Sequence, residues 1–206
     1  MNQSLPTRSG SAARAEKYRQ VAGEIDAVLD AEPDRVARMA TVAAMLADAF
    51  EHFFWTGFYL VDPGRREELV VGPYQGTLGC LRIAFGRGVC GVCAARRETL
   101  IVPDVAAFPG HIACDSRSRS EIVVPVCDPA GRLIAVFDVD STDPDAFDEV
   151  DARGLEDILR RVFAARDSAR YAEARCEPTV AGDGCGGEIA ARVGLSLSTG
   201  PGQGRG

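Results

Sequence analysis

One stretch of the chain, Phe108-Pro109-Gly110-His111-Ile112-Ala113-Cys114-Asp115-Ser116, sets a thiol, one of only two histidines and a carboxylate close together. Glycine and proline punctuate it, and it feeds the apolar, β-branched run Ile122-Val123-Val124-Pro125. A cysteine on a loop held by a strand scaffold is a common way to present a nucleophile. The same residues offer a rival chemistry. Cys90-x-x-Cys93 and His111-x-x-Cys114 are four zinc-type ligands in two knuckle-like pairs. Against zinc, Cys90 and Cys93 fall where a helix is expected, not on the tight turns that usually hold such ligands. Zinc also leaves Cys80 and the carboxylates without a task.

Those carboxylates are Glu121, Asp138 and Asp140. The aspartates lie two apart in the otherwise apolar run 133–140, so their side chains share one side of a strand. Glu121 begins the partner strand of the same hairpin, which lets three carboxylates converge. Crowding and burial both push carboxyl pKa values up, so one of them can keep its proton near neutral pH. That supplies a general acid beside a site for a cationic group. The plainer alternative is a strand end emerging into solvent. Trp55, Gly57 and Tyr59 share a strand face, and a glycine between two aromatics predicts a gap walled by rings. Plain core is the alternative for them. His111 has either a structural role or a modest one in lowering the pKa of Cys114.

The elements that must position these groups follow from periodicity. Tyr18, Val21, Ala22, Ile25, Val28 and Leu29 predict an amphipathic helix from residue 13, and Glu32-Pro33-Asp34 ends it. Val36, Met39, Ala43, Leu46 and Phe50 predict a second. From Phe53 the period becomes two, and Asp62-Pro63-Gly64-Arg65 turns one strand into the next, over 68–74. Residues 78–85 predict a strand with Cys80 and Arg82 on one face. Gly86-Arg87-Gly88-Val89-Cys90-Gly91 then matches G-x-G-x-x-G literally. A dinucleotide site needs a parallel βαβ unit, which the flanking hairpins do not supply, so the glycines predict a tight turn into a short helix reaching residue 97. A brief strand over 99–102, the long loop 103–119, and a hairpin of 121–127 with 133–140 follow. Asp148 and Asp151 form a capping-box pattern for a closing helix whose apolar face is Val150, Leu155, Ile158, Leu159 and Val162. This order, with hairpins and no regular βαβ alternation, predicts an α+β fold with an antiparallel sheet and segregated helices.

A length of 206 residues fits one domain plus tails, and 46% hydrophobic residues support a real core. The net charge of −7 argues against nucleic acid as a partner. No apolar run approaches the roughly 18–20 residues that span a bilayer. The first twenty residues carry Arg8, Arg14, Lys17 and Arg19 without an apolar stretch, so no secretory signal is read and a cytoplasmic location is expected. Seven cysteines without an export signal point to metal ligation or thiol redox chemistry rather than a disulfide framework. Residues 1–13 read as a flexible segment, 14–168 as the domain, and the Gly-rich 169–206, with Cys176 and Cys185, as a disordered tail.

Six strings taken together resemble the free methionine-(R)-sulfoxide reductases, which are GAF-domain enzymes. They are Trp55-Thr56-Gly57-Phe58-Tyr59, Gly72-Pro73-Tyr74-Gln75-Gly76, Cys80-Leu81-Arg82-Ile83, the run 86–91, the cysteine loop, and Ser120-Glu121-Ile122-Val123-Val124-Pro125. The resemblance covers about residues 15–165. It implies a GAF-like domain: a central antiparallel sheet of about six strands, helices on one face and a ligand pocket on the other. It also implies reduction of free methionine-(R)-sulfoxide with reducing equivalents from thioredoxin and no bound cofactor or metal. By position, Cys114 corresponds to the nucleophile, Cys80 to the principal resolving thiol and Cys90 to the third family cysteine. Glu121, Asp138 and Asp140 correspond to the active-site carboxylates, and Trp55 and Tyr59 to pocket aromatics. Whether Cys80 or Cys90 resolves first is left open, as is the division of proton donation and ammonium binding among the carboxylates. Cys93 departs from the pattern, standing where the family has a small non-thiol residue, and reads as a buried small hydrophobe, with a second resolving thiol as the alternative. A homodimer fits such a fold. The alternatives carried forward are a non-enzymatic GAF sensor of a small ligand or of redox state, and a zinc-stabilised module.

Overall fold

The structure is a computed structural model describing residues 8–112 and 114–164. The expectations for residues 1–7 and for the Gly-rich tail with Cys176 and Cys185 fall outside the described residues. Two helices, α1 (Arg8–Val28) and α2 (Arg35–Ala49), precede β1 (Trp55–Val61), β2 (Glu68–Gln75) and β3 (Arg82–Ala84). Helix α3 (Gly88–Arg96), β4 (Leu100–Val102), a 3-10 turn (Val105–Ala107), β5 (Ser120–Cys127), β6 (Leu133–Ser141) and α4 (Glu149–Leu159) complete the order. The six strands form one sheet, β3-β2-β1-β6-β5-β4, and every neighbouring pair is antiparallel. This is the α+β architecture read from the sequence.

Strand alternation divides the core in two. Phe58 of β1, Ile122, Val124 and Val126 of β5, and Ala135, Phe137 and Val139 of β6 pack against α1, α2 and α4. The intervening residues, among them Trp55, Tyr59, Val123 and Val136, pack with α3 in a second cluster. Three helices therefore cover one face, and α3 with the cysteine loop covers part of the other. Helix α4 starts where the capping box predicts it: the Asp148 side chain accepts from the Val150 N–H at 2.7 Å, and Asp151 reaches back to the Asp148 N–H at 2.8 Å.

Three expectations need correction. Helix α1 begins at Arg8, ahead of residue 13, because Ala12 and Ala13 extend it without adding to its apolar stripe. Val28 and Val36 are exposed, at 62% and 57%. Val28 ends its helix to one side of the Tyr18–Ile25–Leu29 stripe, and Val36 lies in the first turn of α2, before the stripe through Met39, Val42 and Leu46 begins. The strand expected over 78–85 contracts to β3, Arg82–Ala84, so Cys80 lies in the preceding loop. That loop folds back over the aromatic rings of β1, held by the Trp55 indole N–H donating to the Thr77 carbonyl at 3.0 Å.

Candidate active site

Residues from β1, β5, β6, α3 and the two cysteine-bearing loops enclose a cavity of about 510 Å³, its open side included. Alternation brings the carboxylates there. Glu121 pairs directly with Asp140 across the β5–β6 ladder, and Asp138 pairs with Val123 two residues along on the same face. Glu121 and Asp138 are buried, and Asp138 leaves Oδ1 without a hydrogen-bond partner. The strand end has not emerged into solvent, and the three groups converge.

Burial, compounded by the nearby Asp140 charge, pushes the Glu121 carboxyl well above the ordinary range. Burial first, then Glu121 and Asp140, does the same to Asp138. Asp140 is raised by burial to about 6, held from going further by a hydrogen bond from Ser118 and by His111. Three carboxyls this close cannot all ionise in a dry site, so protons are stored there. His111 directs Nε2 at Glu121 Oε2, 3.7 Å away.

The thiols divide into two groups. Cys114 and Cys80 are joined in a disulfide, with Cα atoms 5.5 Å apart. Cys114 is exposed, Cys80 half-buried. Cys90 is buried in the first turn of α3, its Sγ 4.0 Å from Glu121 Oε1. Burial raises the Cys90 thiol, with Asp138 and Glu121 adding to the effect, so it stays protonated. Cys93, one turn further on, turns toward the Val123 carbonyl at 3.7 Å. Burial raises its pKa too, as suits an inert packed thiol. Of the four residues of the zinc reading, Cys90, His111 and Cys114 line the cavity and Cys93 turns away from it. A thiol and two carboxylates, Cys90, Glu121 and Asp138, do place donor atoms within 4.8 Å of one another. A compact cation, metallic or organic, would meet the same negative charge there.

Trp55 and Tyr59 line the cavity, stacked at 5.5 Å between ring centroids. The open gap expected over Gly57 is absent. Gly57 faces Tyr74 across the β1–β2 ladder, where a Cβ would stand 2.3 Å from the Tyr74 Cβ. Tyr74 fills the space and stacks on Trp55 at 5.2 Å, backing the two-ring wall with a third ring. The G-x-G-x-x-G run is a turn into α3: Gly86 and Gly88 have φ of 76° and 59°, and a Cβ on Gly91 would lie 2.3 Å from the Ala84 carbonyl oxygen. The sheet at that point is antiparallel, and the turn delivers Cys90 to the cavity floor.

Several contacts went unread in the sequence. The Thr77 hydroxyl donates to Asp115 Oδ2 at 2.8 Å, and Arg117 clasps both Asp115 oxygens at 3.0 and 2.8 Å. The Arg117 contacts hold the Asp115 carboxyl well below its usual range, and the Thr77 hydrogen bond ties the Cys114 loop to the Cys80 loop. Ser118 reaches Asp140, and Leu78, Ile83 and Ile112 complete the apolar lining. The juxtaposition of Asp115 and Arg117 was the only local signal for any of these.

A six-stranded antiparallel sheet with helices on one face and a ringed, acidic cavity on the other defines the class. The chain belongs to the GAF-domain proteins, and the family's pattern matches residues 31–165. Within that class it belongs to the free methionine-R-sulfoxide reductases. It is 37% identical over 161 residues to the free methionine-R-sulfoxide reductase of Escherichia coli, covering 77% of this chain and 95% of that protein. GAF domain-containing protein A of Dictyostelium discoideum is 46% identical over 160 residues, covering 78% of this chain and 98% of that one. The crystal structure of the Neisseria meningitidis free methionine-R-sulfoxide reductase with its substrate superposes with a TM-score of 0.70 at 46% identity, covering 81% of this chain and 94% of that one.

Proposed function

We propose that this chain reduces free L-methionine (R)-S-oxide to L-methionine by thiol chemistry at Cys114. The observation that supports it most is the convergence on one cavity of a redox-capable thiol pair, a stacked aromatic wall and buried carboxyls whose pKa values are raised. The substrate's ammonium group matches the charge around Asp138, whose unpaired Oδ1 needs a donor, and its S-methyl group matches the Trp55–Tyr59 wall. Enclosing the amino acid's own charged ends would exclude methionine sulfoxide within a peptide.

The Cys114 thiolate attacks the sulfoxide sulfur as the S–O bond breaks, and the departing oxygen must be protonated. Glu121, held protonated by burial and by Asp140, is the proposed donor, and His111 at 3.7 Å is placed to steady its carboxyl group. The oxygen leaves as water, and Cys114 Sγ is bonded to the substrate sulfur as a sulfonium. Water then attacks Sγ, the S–S bond breaks and a proton is returned. The products are methionine and a sulfenic acid on Cys114. Cys80 condenses with the sulfenic acid, releasing water and forming the Cys80–Cys114 disulfide. A protein dithiol such as thioredoxin then reduces that disulfide by exchange, taking the oxidation onto itself. No metal or bound cofactor enters these steps. Cys90 is proposed to hold the floor of the cavity and hydrogen-bond the carboxyl pair rather than to resolve first. A reducing, cytoplasmic setting suits a cycle that depends on thioredoxin, and no described helix is long and apolar enough to cross a membrane.

The test is turnover. With thioredoxin, thioredoxin reductase and NADPH, the protein should consume NADPH on addition of the free R epimer. It should do so weakly or not at all with the S epimer or with a peptide-bound sulfoxide. No NADPH loss with the free R epimer overturns the reading and favours a ligand- or redox-sensing GAF domain. Stoichiometric zinc in the reduced protein would favour the metal-stabilised alternative.

A further inference from the structure

Five large apolar side chains stand exposed among the described residues. Three of them, Leu78 (74%), Leu81 (68%) and Ile112 (37%), flank Cys80 and Cys114 in the two loops that the disulfide joins. The bond holds the two Cα atoms at 5.5 Å, so the three apolar residues collar one accessible disulfide. Leu78 and Ile112 also line the cavity, whereas Leu81 does not. Nor is Leu81 frayed: its carbonyl accepts the Val71 N–H at 3.1 Å, and Arg82 beside it binds Asp62 at 2.6 Å. A leucine fixed in water, next to a reactive bond, contributes little to the fold and marks an interaction surface.

Charge narrows the choice of partner. In residues 76–87 and 108–119, Arg82 is paired with Asp62 and Glu68 and Arg117 with Asp115, which leaves Arg87 and Arg119 without an ion pair among the described residues. Two arginines with no carboxylate partner, in a chain of net −7, favour an acidic surface over a basic one as the partner.

We propose that the Leu78–Leu81–Ile112 collar is the docking surface for an acidic protein dithiol, which makes reduction a docked event rather than a chance encounter. This rests on the reductase reading above and deepens it. In the docked complex, the partner's thiolate attacks Sγ of Cys114, the exposed sulfur. The bond to Cys80 breaks, and Cys80 leaves as a thiolate and takes up a proton. The partner's second thiol then displaces Cys114, so the partner carries away a disulfide and this chain gains two electrons and two thiols.

Leu81 provides the test, because it lies outside the cavity. Turnover of Leu81→Ser, Leu81→Lys and Leu81→Glu is measured with thioredoxin as reductant and, separately, with dithiothreitol. Val28→Ser, an exposed apolar position on α1, serves as control. The expected result is a KM for thioredoxin raised roughly tenfold in Leu81→Ser and further in Leu81→Glu than in Leu81→Lys. The KM for the sulfoxide and the dithiothreitol-driven rate should match the unsubstituted protein, and added salt should raise the KM for thioredoxin. An unchanged KM for thioredoxin in all three variants overturns the proposal. So does sedimentation showing a dimer that Leu81→Ser dissociates, since the collar would then be covered by a second copy. Absence of turnover with dithiothreitol in the unsubstituted protein would instead sink the reductase reading itself.

Discussion

The two faces of the sheet are made by the same strands, offset by one residue, and they use burial for opposite ends. In β6, Phe137 and Val139 turn toward α1, α2 and α4, while Asp138 and Asp140 turn toward the cavity. On the helix face, Phe137 is fully buried against Phe58, with ring centroids 4.7 Å apart, and burial there stabilises the fold. On the cavity face, burial of Glu121, Asp138 and Asp140 raises their pKa values and leaves Asp138 Oδ1 unpartnered, at a cost in stability. The helix face holds the molecule together so that the cavity face can store protons and unbalanced charge.

Substitutions in this one strand can break that contrast. The largest effect expected is on catalysis: Asp138→Asn should lower kcat/KM for free methionine-(R)-sulfoxide by about 10²–10⁴-fold, most of it as a raised KM if Asp138 holds the ammonium group. Glu121→Gln should show a similar loss, mainly in kcat, and steady-state kinetics on the pair would separate the two roles. Next comes Phe137→Ala, expected to cost about 3–5 kcal/mol in urea unfolding while the fraction that remains folded still turns over. Equal losses of activity and stability at both positions would show that the faces are not separate.

A smaller effect, of opposite sign, sharpens the contrast. Asp138→Asn should stabilise the protein by about 1–2 kcal/mol at pH 7.5, because a buried carboxyl whose ionisation the fold opposes is exchanged for an amide that does not titrate. The sign with pH follows from the raised values. A carboxyl that binds its proton more tightly folded than unfolded contributes full stability below about pH 4. That contribution is lost as pH rises through the folded value, about 6 for Asp140 and raised also for its two neighbours. Unfolding free energy should therefore fall between pH 4.5 and pH 7.5, and fall less in Asp138→Asn. Smallest of all, Cys93→Ala should change stability by about 1 kcal/mol and leave turnover within about twofold, since the Cys93 thiol only packs and faces the Val123 carbonyl.

What was legible in the sequence was whatever had a short period. The alternation of Phe137, Asp138, Val139 and Asp140 fixed which groups share a face, and the β5–β6 hairpin brought Glu121 opposite Asp140. The spacing of Asp148 and Asp151 gave the start of α4. The Cys80–Cys114 pairing was implied by resemblance, since no local rule joins residues 34 apart. Contacts made by packing between distant segments were not legible. Tyr74 closing over Gly57 and Thr77 holding Asp115 depend on how β2 and the following loop fold back, which no periodicity encodes. The strand expected around Cys80 failed for the same reason: the Thr77 carbonyl just ahead of it accepts the Trp55 indole N–H, and bonding to β2 begins with the Leu81 carbonyl accepting from Val71.

The central claim is that Cys114 removes the sulfoxide oxygen and Cys80 closes on it. A single-turnover experiment addresses it directly. Fully reduced protein is mixed with excess free methionine-(R)-sulfoxide and no external reductant, and methionine and thiol state are read by mass spectrometry. The mechanism predicts about one methionine per chain, a new Cys80–Cys114 disulfide, and a trapped Cys114 sulfenic acid in Cys80→Ser. Methionine formed in full by Cys114→Ser, or an oxidised protein whose disulfide joins Cys90 and not Cys80, would contradict it.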